Sequence, residues 1–132
     1  MKTALLALVA VTTPAVAQTV ERRAEKPVTI VMTDEGFAPR NVTLQRGHPY
    51  VLNLVNRSTK GHNLTQRAFF DAALVRGDDR RWVADGQIVL AAGERARVHF
   101  RAPSTRSGGS FEFSSTTLGD ADKDYKGFFH IR

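Results

Sequence analysis

The fold is decided by the segment Gly109-Ser-Phe-Glu-Phe-Ser-Ser-Thr-Thr-Leu-Gly-Asp-Ala-Asp-Lys-Asp-Tyr-Lys-Gly-Phe-Phe-His-Ile131, in the last quarter of the chain. Phe111, Phe113 and Ser115 alternate with polar residues, and alternate side chains of a β-strand point to the same face. The spacing predicts a strand that directs two aromatic rings and then a hydroxyl at one interior. A loop and a closing strand are expected to follow.

The first residues of the chain have the features of an export signal. Met1-Lys2 is a charged start, Ala4 to Val11 is an apolar run, and Pro14-Ala-Val-Ala17 contains a small-residue cleavage site. The apolar run is too short to cross a membrane. We therefore predict a signal peptide at residues 1–17, no integral membrane segment after its cleavage, and a periplasmic or secreted protein.

Composition narrows the classes of structure and partner. The chain has no cysteine and 42% hydrophobic residues, so the fold has to be held by core packing rather than by disulfides. Its formal net charge is +6. An exported protein is not expected to meet nucleic acid, so this charge favours anionic components of the envelope or an acidic envelope protein as partner.

Short β-branched or alternating segments, separated by glycine-containing turns, fill the chain from Val28 onward. Strands are predicted at Val28–Thr33, Val42–Gln45, Tyr50–Val55, Gln87–Leu90 and Arg95–Arg101. Together with the C-terminal segment they predict an all-β Greek-key sandwich at residues 28–132. Residues 18–27 are expected to form a flexible N-terminal lead.

One segment, Arg67–Val75, departs from the strand pattern. Its apolar residues recur at helical spacing and are Phe69, Phe70, Ala73 and Leu74. This spacing predicts one short inserted helix that packs on the sandwich, with Gly77 as its stop. The charged connection that follows carries the only tryptophan, Trp82, which is expected to cap the core under a loop; the alternative is a contact with a partner.

The segment from Gly109 to Gly127 resembles, without a gap, the C-terminal motif of the cupredoxins, G-x-Y/F-x-F-x-C-x-x-x-x-H-x-x-x-x-M-x-G. Gly36–Gly47 is similar to the family's F-x-P-x-x-I/V-x-V-x-x-G, and Gly61–Leu64 to the segment with its first histidine ligand. The inserted helix has a counterpart in a periplasmic subgroup of the family. The resemblance covers residues 28–132 and implies a cupredoxin-like, plastocyanin- or azurin-type sandwich.

The same alignment implies that the copper site of the family has degenerated. Ser115, Asp120 and Tyr125 stand where the family has its Cys, His and Met ligands, and only His62 is a ligand of the expected kind. A type 1 copper site depends on a cysteine thiolate, whereas a serine hydroxyl is protonated at neutral pH. Met32 alternates with apolar residues of the first strand and is predicted to be core. The resemblance therefore implies a non-enzymatic binding or accessory protein with no bound cofactor.

Two alternatives use the residues that remain. His62 and Asp120, with Tyr125 or Glu112 nearby, would offer an imidazole, a carboxylate and a phenol to weakly bound copper or another divalent metal, or to a ferric ion. An envelope copper- or iron-handling protein with an altered ligand set is therefore the second hypothesis. Ser115, His62 and Asp120 also form a nominal Ser/His/Asp set, but this serine lies on a strand rather than on a strained elbow.

The strand Arg95–Arg101 is predicted to have a basic outer face. Arg95, Arg97 and Arg101 alternate with the apolar residues that would enter the core. This face is interpreted as solvated, with docking of an acidic partner as the alternative.

Overall fold

The computed structural model describes residues 24–106 and 108–132. The signal peptide expected at residues 1–17 lies outside these residues, and so do residues 18–23 of the expected lead.

Two five-stranded sheets form a sandwich, which confirms the predicted fold class. The strands of sheet 1 are β1 (Lys26–Met32), β2 (Phe37–Ala38), β4 (Pro49–Asn56), β6 (Leu74–Val75) and β8 (Arg95–Arg101). Those of sheet 2 are β3 (Asn41–Leu44), β5 (His62–Thr65), β7 (Gln87–Leu90), β9 (Ser110–Ser114) and β10 (Lys126–Ile131). The strand orders are β2-β1-β4-β8-β6 and β3-β10-β9-β5-β7. The pairs β1–β4 and β3–β10 are parallel, and the other strand pairs are antiparallel.

The alternation of side chains along the strands explains which face each sheet buries. In β8, Ala96, Val98 and Phe100 are buried, whereas Arg95, Arg97 and Arg101 are exposed, as the sequence pattern predicts. Met32 is fully buried, which confirms its assignment to the core.

The first strand begins two residues earlier than expected. Lys26 and Pro27 already pair with Tyr50 and Val51 in the parallel ladder of β1 and β4. The predicted boundary at Val28 is therefore wrong by two residues, because the partner strand β4 extends far enough to pair with them. The charge of Lys26 and the proline had suggested a loop.

The inserted helix is real but shorter than the apolar spacing suggests. Helix α1 covers Arg67–Ala72 and buries Phe69 and Phe70. Leu74 was expected on its buried face, and this is wrong: its side chain is 69% exposed in β6, where it pairs with Arg101. Pairing with the edge of β8 satisfies the backbone of Leu74–Val75, so the chain leaves the helix after Ala72.

The charged connection contains a second, unpredicted helical element. A 3₁₀ helix covers Gly77–Trp82 and ends on the half-buried ring of Trp82. Trp82 packs against the core, which confirms its expected capping position. It reaches that position from a helical turn rather than from an open loop.

A chain of aromatic contacts joins the helix to both sheets. Phe69 of α1 stacks on Phe129 of β10 with 4.2 Å between ring centroids, and Phe129 lies 4.6 Å from Phe113 of β9. Phe113 meets Phe37 edge to face at 4.9 Å. The ring of Phe113 lies directly over Gly127, the residue opposite it in the β9–β10 ladder. A side chain at position 127 would occupy the same space.

We expect Gly127→Ala to destabilise the fold by about 2 kcal/mol, because the added methyl group would overlap the Phe113 ring and approach Arg40 O to 2.6 Å. Urea unfolding followed by circular dichroism measures the change. Gly77→Ala is the matched control, since nothing lies within 4 Å of a methyl group there. Equal unfolding midpoints for the two variants would contradict this packing.

Candidate functional site

The four residues that the sequence aligns with copper ligands lie together at one end of sheet 2. His62 is the first residue of β5, Ser115 follows β9, Tyr125 precedes β10, and Asp120 lies in the loop between these last two strands. The N–H of Ser115 donates to Tyr125 O at 3.0 Å, which closes the loop at its base. All four residues are buried. The structure therefore brings the four aligned residues together.

The carboxylate of Asp120 is the centre of this group. Its Oδ2 accepts hydrogen bonds from Ser115 Oγ at 2.5 Å and from Thr117 Oγ1 at 2.8 Å. His62 Nδ1 lies 2.5 Å from the same oxygen. We call Asp120, Ser115, Thr117 and His62 the Asp120 cluster. It links the start of β5 to the end of β9 and to the loop before β10.

Hydrogen bonding keeps the carboxyl of Asp120 ionised despite its burial. Burial alone raises the pKa of Asp120, but the hydrogen bonds from Ser115, His62 and Thr117 outweigh it and hold this pKa below its usual range. An ionised carboxylate only accepts hydrogen bonds. His62 Nδ1 must therefore carry a proton, and this N–H donates a hydrogen bond to Asp120.

Tyr125 borders the cluster with its ring rather than with its hydroxyl. The ring stacks on the His62 imidazole with 4.6 Å between centroids and 22° between planes. Its hydroxyl donates to Thr33 O at 2.5 Å, just after strand β1 of the other sheet. Burial, together with the negative charges of Asp120 and Asp34, raises the pKa of Tyr125 above its usual range. The phenol is therefore neutral at physiological pH.

Neither ring nitrogen of His62 is open to an approaching ion. The proton shared with Asp120 occupies the lone-pair position of Nδ1. The other nitrogen, Nε2, is buried and has no hydrogen-bond partner among the residues that the structure describes. A metal at Nδ1 would have to displace Asp120, and a metal at Nε2 would have to reach a buried atom.

Two asparagines that sequence reasoning assigned no role hold the site in place. The side chain of Asn63 accepts from Thr116 N at 2.8 Å and donates to Thr116 Oγ1 at 2.9 Å. Asn56 donates to Lys60 O at 2.8 Å and fixes the turn that leads into His62. Asn63 follows the aligned histidine directly. Its contact with Thr116 could not be predicted from the sequence, because the two residues are far apart in the chain.

Thr117 is a third residue that sequence reasoning missed. It lies three positions before Asp120, a spacing at which a hydroxyl and a carboxylate commonly bond across a turn. The Asp120 N–H donates to Thr117 O at 2.9 Å in the same turn. This local spacing is the signal that could have indicated its contact with Asp120.

The geometry does not support a serine hydrolase. A catalytic triad places histidine between serine and aspartate, so that the histidine removes the serine proton. Here Asp120 stands between Ser115 and His62, and Ser115 Oγ donates to the carboxylate directly. The nominal Ser/His/Asp set therefore lacks the order that nucleophilic catalysis needs.

Glu112 does not belong to this site. Its carboxylate is exposed and lies 3.6 Å from Lys126 Nζ. The sequence hypothesis that it assists His62 is wrong, because the strand directs it to the outer surface. Within residues 24–106 and 108–132, no three side chains of the types His, Cys, Asp or Glu are grouped so that they could hold a metal ion.

Comparison with known proteins identifies the fold. No family model and no curated protein matches the chain. Among solved structures, auracyanin B is 20% identical, with a TM-score of 0.57, over 81% of this chain and 88% of that chain. Auracyanin A, described as a "blue" copper protein from Chloroflexus aurantiacus, is 19% identical, with a TM-score of 0.51, over 80% of this chain and 99% of that chain. A multicopper oxidase is 15% identical, with a TM-score of 0.54, over 81% of this chain and 44% of that chain.

The sandwich is therefore cupredoxin-like, as the sequence resemblance predicts. At these identities the likeness defines the fold and not the chemistry. The donor set of this chain does not fit a type 1 copper centre, because a hydroxyl, a hydrogen-bonded carboxylate and a neutral phenol stand in place of the thiolate, imidazole and thioether. In the described part of the chain, no helix has the length and apolar character needed to cross a membrane.

We expect Asp120→Ala to lower the free energy of unfolding by about 3 kcal/mol at neutral pH, because it leaves three donors, two of them buried, without their acceptor. Asp122→Ala, an exposed change in the same loop, is the control and should alter stability by less than about 0.5 kcal/mol. Chemical denaturation measures both. Equal stabilities would show that the cluster does not support the fold.

The depressed pKa of Asp120 also sets the direction of a pH effect. A group whose pKa is lower in the folded state stabilises the fold above its unfolded pKa, which is about 3.9 for aspartate. That stabilisation is lost as the pH falls through the folded value. The stability difference between the protein and Asp120→Ala should therefore shrink below about pH 4. A difference independent of pH would show that the carboxylate charge has no part in it.

Proposed function

We propose that this chain is an exported cupredoxin-like protein that has lost type 1 copper electron transfer and serves as a non-enzymatic binding or accessory protein. The observation that carries this proposal is the Asp120 carboxylate, which accepts hydrogen bonds from Ser115, Thr117 and His62. The hydrogen-bonding groups around Asp120 are therefore paired with Asp120. The place of a metal ion is taken by a side chain of the protein.

The charge balance of the cluster supports the loss of copper. A metal site collects electron-pair donors around a cation, whereas the Asp120 cluster collects hydrogen-bond donors around an anion. Ser115 and Thr117 present protons toward the centre, and His62 does the same through Nδ1. A cation placed among them would face protons rather than lone pairs.

The inaccessibility of His62 supports a binding role rather than catalysis. His62 is paired with Asp120 through one nitrogen and buried at the other. General acid or base catalysis needs a group within reach of substrate. Export, to the periplasm or out of the cell, rests on the signal-peptide features of residues 1–17.

An altered metal site is the second candidate, favoured by the contact between His62 and Asp120 at 2.5 Å. An imidazole and a carboxylate at such a distance could both turn toward Cu(II), Zn(II) or a ferric ion. Such binding would have to remove the proton from Nδ1 and break the hydrogen bonds of Ser115 and Thr117. This competition makes metal handling the weaker candidate.

Metal titration separates the two candidates. We expect calorimetry of the purified protein with Cu(II), Zn(II) and Fe(III) to show no stoichiometric site, because the cluster donors are already paired. His62→Ala should give the same result, and His130→Ala, which changes a half-buried histidine on β10, is the control. A stoichiometric site that is lost in His62→Ala and retained in His130→Ala would establish the metal-handling alternative.

Restoring the family's ligands tests the alignment itself. The triple variant Ser115→Cys, Asp120→His and Tyr125→Met should bind Cu(II) and show thiolate-to-copper absorption, because it supplies the missing ligands beside His62. Ser115→Cys alone should not, since Asp120 and Tyr125 remain. A triple variant that folds by circular dichroism but shows no such absorption would contradict the assignment of these positions.

A further inference from the structure

A groove runs along the outer face of sheet 1, on the side away from the core. It has a volume of about 660 Å³ and is bounded by β1, β4, β8 and the 3₁₀ helix. Its floor includes Thr29, Asn53 and Arg97, which are neighbours across three strands in the ladder registers. We call this depression, walled by Arg81, Trp82 and Arg95, the arginine groove. Its volume lies within the range of ligand sites in proteins.

The wall formed by the 3₁₀ helix is fixed in position. Asp79 accepts hydrogen bonds from the backbone N–H of His99 at 2.8 Å and from its ring Nδ1 at 2.7 Å. Trp82 packs on the core, and the guanidinium of Arg81 lies 5.6 Å from the centre of its ring. This cation–π contact orients the Arg81 guanidinium before any ligand arrives. The carboxylate of Asp79, which also lines the groove, is already committed to His99.

The groove carries positive charge that the described residues do not balance. Arg40 pairs with Asp124 and Arg76 with Glu25 elsewhere on the surface. Counting residues 24–106 and 108–132, no carboxylate lies within ion-pair distance of the three groove arginines, Arg81, Arg95 and Arg97. Guanidinium groups are donors only, and these exposed side chains are able to donate hydrogen bonds to an anionic ligand.

The floor has an unused hydrogen-bonding group as well. The half-buried amide of Asn53 makes no hydrogen bond with any residue that the structure describes. It lies next to Arg97 across the β4–β8 ladder, where it can both donate and accept. Val55, paired with Arg95, adds an apolar contact at the end of the floor.

We propose that the arginine groove binds an extended acidic segment of a protein partner. Arg95 and Arg97 are two residues apart on one strand, which separates them by about 7 Å. Alternate side chains of an extended peptide lie on one side at the same spacing of about 7 Å. Two carboxylates at positions i and i+2 therefore match the two arginines in register. Arg81 on the wall faces the same groove and adds a third cation.

The proposed contacts are made by the side chains that line the groove. Strand β8 pairs with β4 along its whole length, whereas β6 covers its other edge only at Phe100 and Arg101. Recognition by charge then gives fast association that weakens with salt. This inference names a partner chemistry for the proposed binding role, but it does not depend on the state of the Asp120 cluster. A metal site at His62 would overturn the proposed function and leave the groove intact.

The single tryptophan, Trp82, makes the proposal directly testable because it reports from the groove wall. The probe is a synthetic heptapeptide that has glutamate at every second position and threonine or valine at the positions between them. We expect it to change the fluorescence of the purified protein saturably, with an affinity that falls as salt is raised. The same peptide with glutamine in place of glutamate should not bind.

The variant Arg95→Glu/Arg97→Glu should weaken binding about tenfold or more. Arg46→Glu/Arg132→Glu changes two exposed arginines outside the groove by the same charge and should keep most of the affinity. Should the first variant unfold, Arg95→Gln/Arg97→Gln removes both charges without reversing them and is expected to weaken binding in the same direction. Circular dichroism establishes which of these variants are folded.

Three results would overturn the proposal. The first is a glutamate peptide that does not bind. The second is an equal loss in the control variant, which would mean attraction by net charge alone. The third is displacement of the peptide by an equal concentration of glutarate, which would mean a site for small dicarboxylates rather than for an extended segment.

Discussion

The ionised carboxylate of Asp120 joins neighbouring strands of sheet 2 at the end where their ladders stop. Through one oxygen it holds the start of β5, the residue after β9 and the turn before β10. Burying a charge is costly unless hydrogen bonds replace its hydration, and three donors do so here. The turn at Thr117 and the closed end of the sandwich follow from this arrangement.

Under the proposed function, the cluster would keep this end of the cupredoxin-like sandwich closed without a metal. In a metal site, a cation joins ligands from separate strands and loops. Here an anion joins hydrogen-bond donors from the same segments, so the charge at the centre is reversed while the connection between segments is kept. The Tyr125 hydroxyl adds a hydrogen bond to Thr33, the residue that follows β1 of the opposite sheet. The result is a well-packed end of the molecule in which the polar groups around Asp120 are hydrogen-bonded to one another, with His62 Nε2 as the exception.

The sequence predicted most of the fold because strand patterns are local. Alternation in Arg95–Arg101 defines both faces of β8, and the glycine and aromatic spacing of the C-terminal segment identifies the sandwich. The ends of elements were less predictable. Lys26 joins β1 and Leu74 leaves α1 because a neighbouring strand offers backbone partners there. Such pairing depends on tertiary structure and leaves no local signal.

The site was predictable in position but not in chemistry. The alignment placed His62, Ser115, Asp120 and Tyr125 at one end, yet it described them as remnants of a ligand set. That the hydroxyls and the imidazole all point their protons at Asp120 depends on the turn geometry around Thr117. Of the arginine groove, the sequence predicted only the basic outer face of strand β8. Its floor depends on the register of strands far apart in sequence.

The central claim, that a carboxylate has taken the place of a metal, is tested most directly at the imidazole of His62. Proton–nitrogen NMR of the ¹⁵N-labelled protein observes the Nδ1 proton and its nitrogen. The structure leads us to expect a strongly deshielded, slowly exchanging Nδ1 proton, because it is buried and bonded to Asp120 at 2.5 Å. One equivalent of Zn(II) should leave this signal unchanged. Loss of the Nδ1 proton on addition of Zn(II), with a shift of the bound nitrogen, would contradict the account.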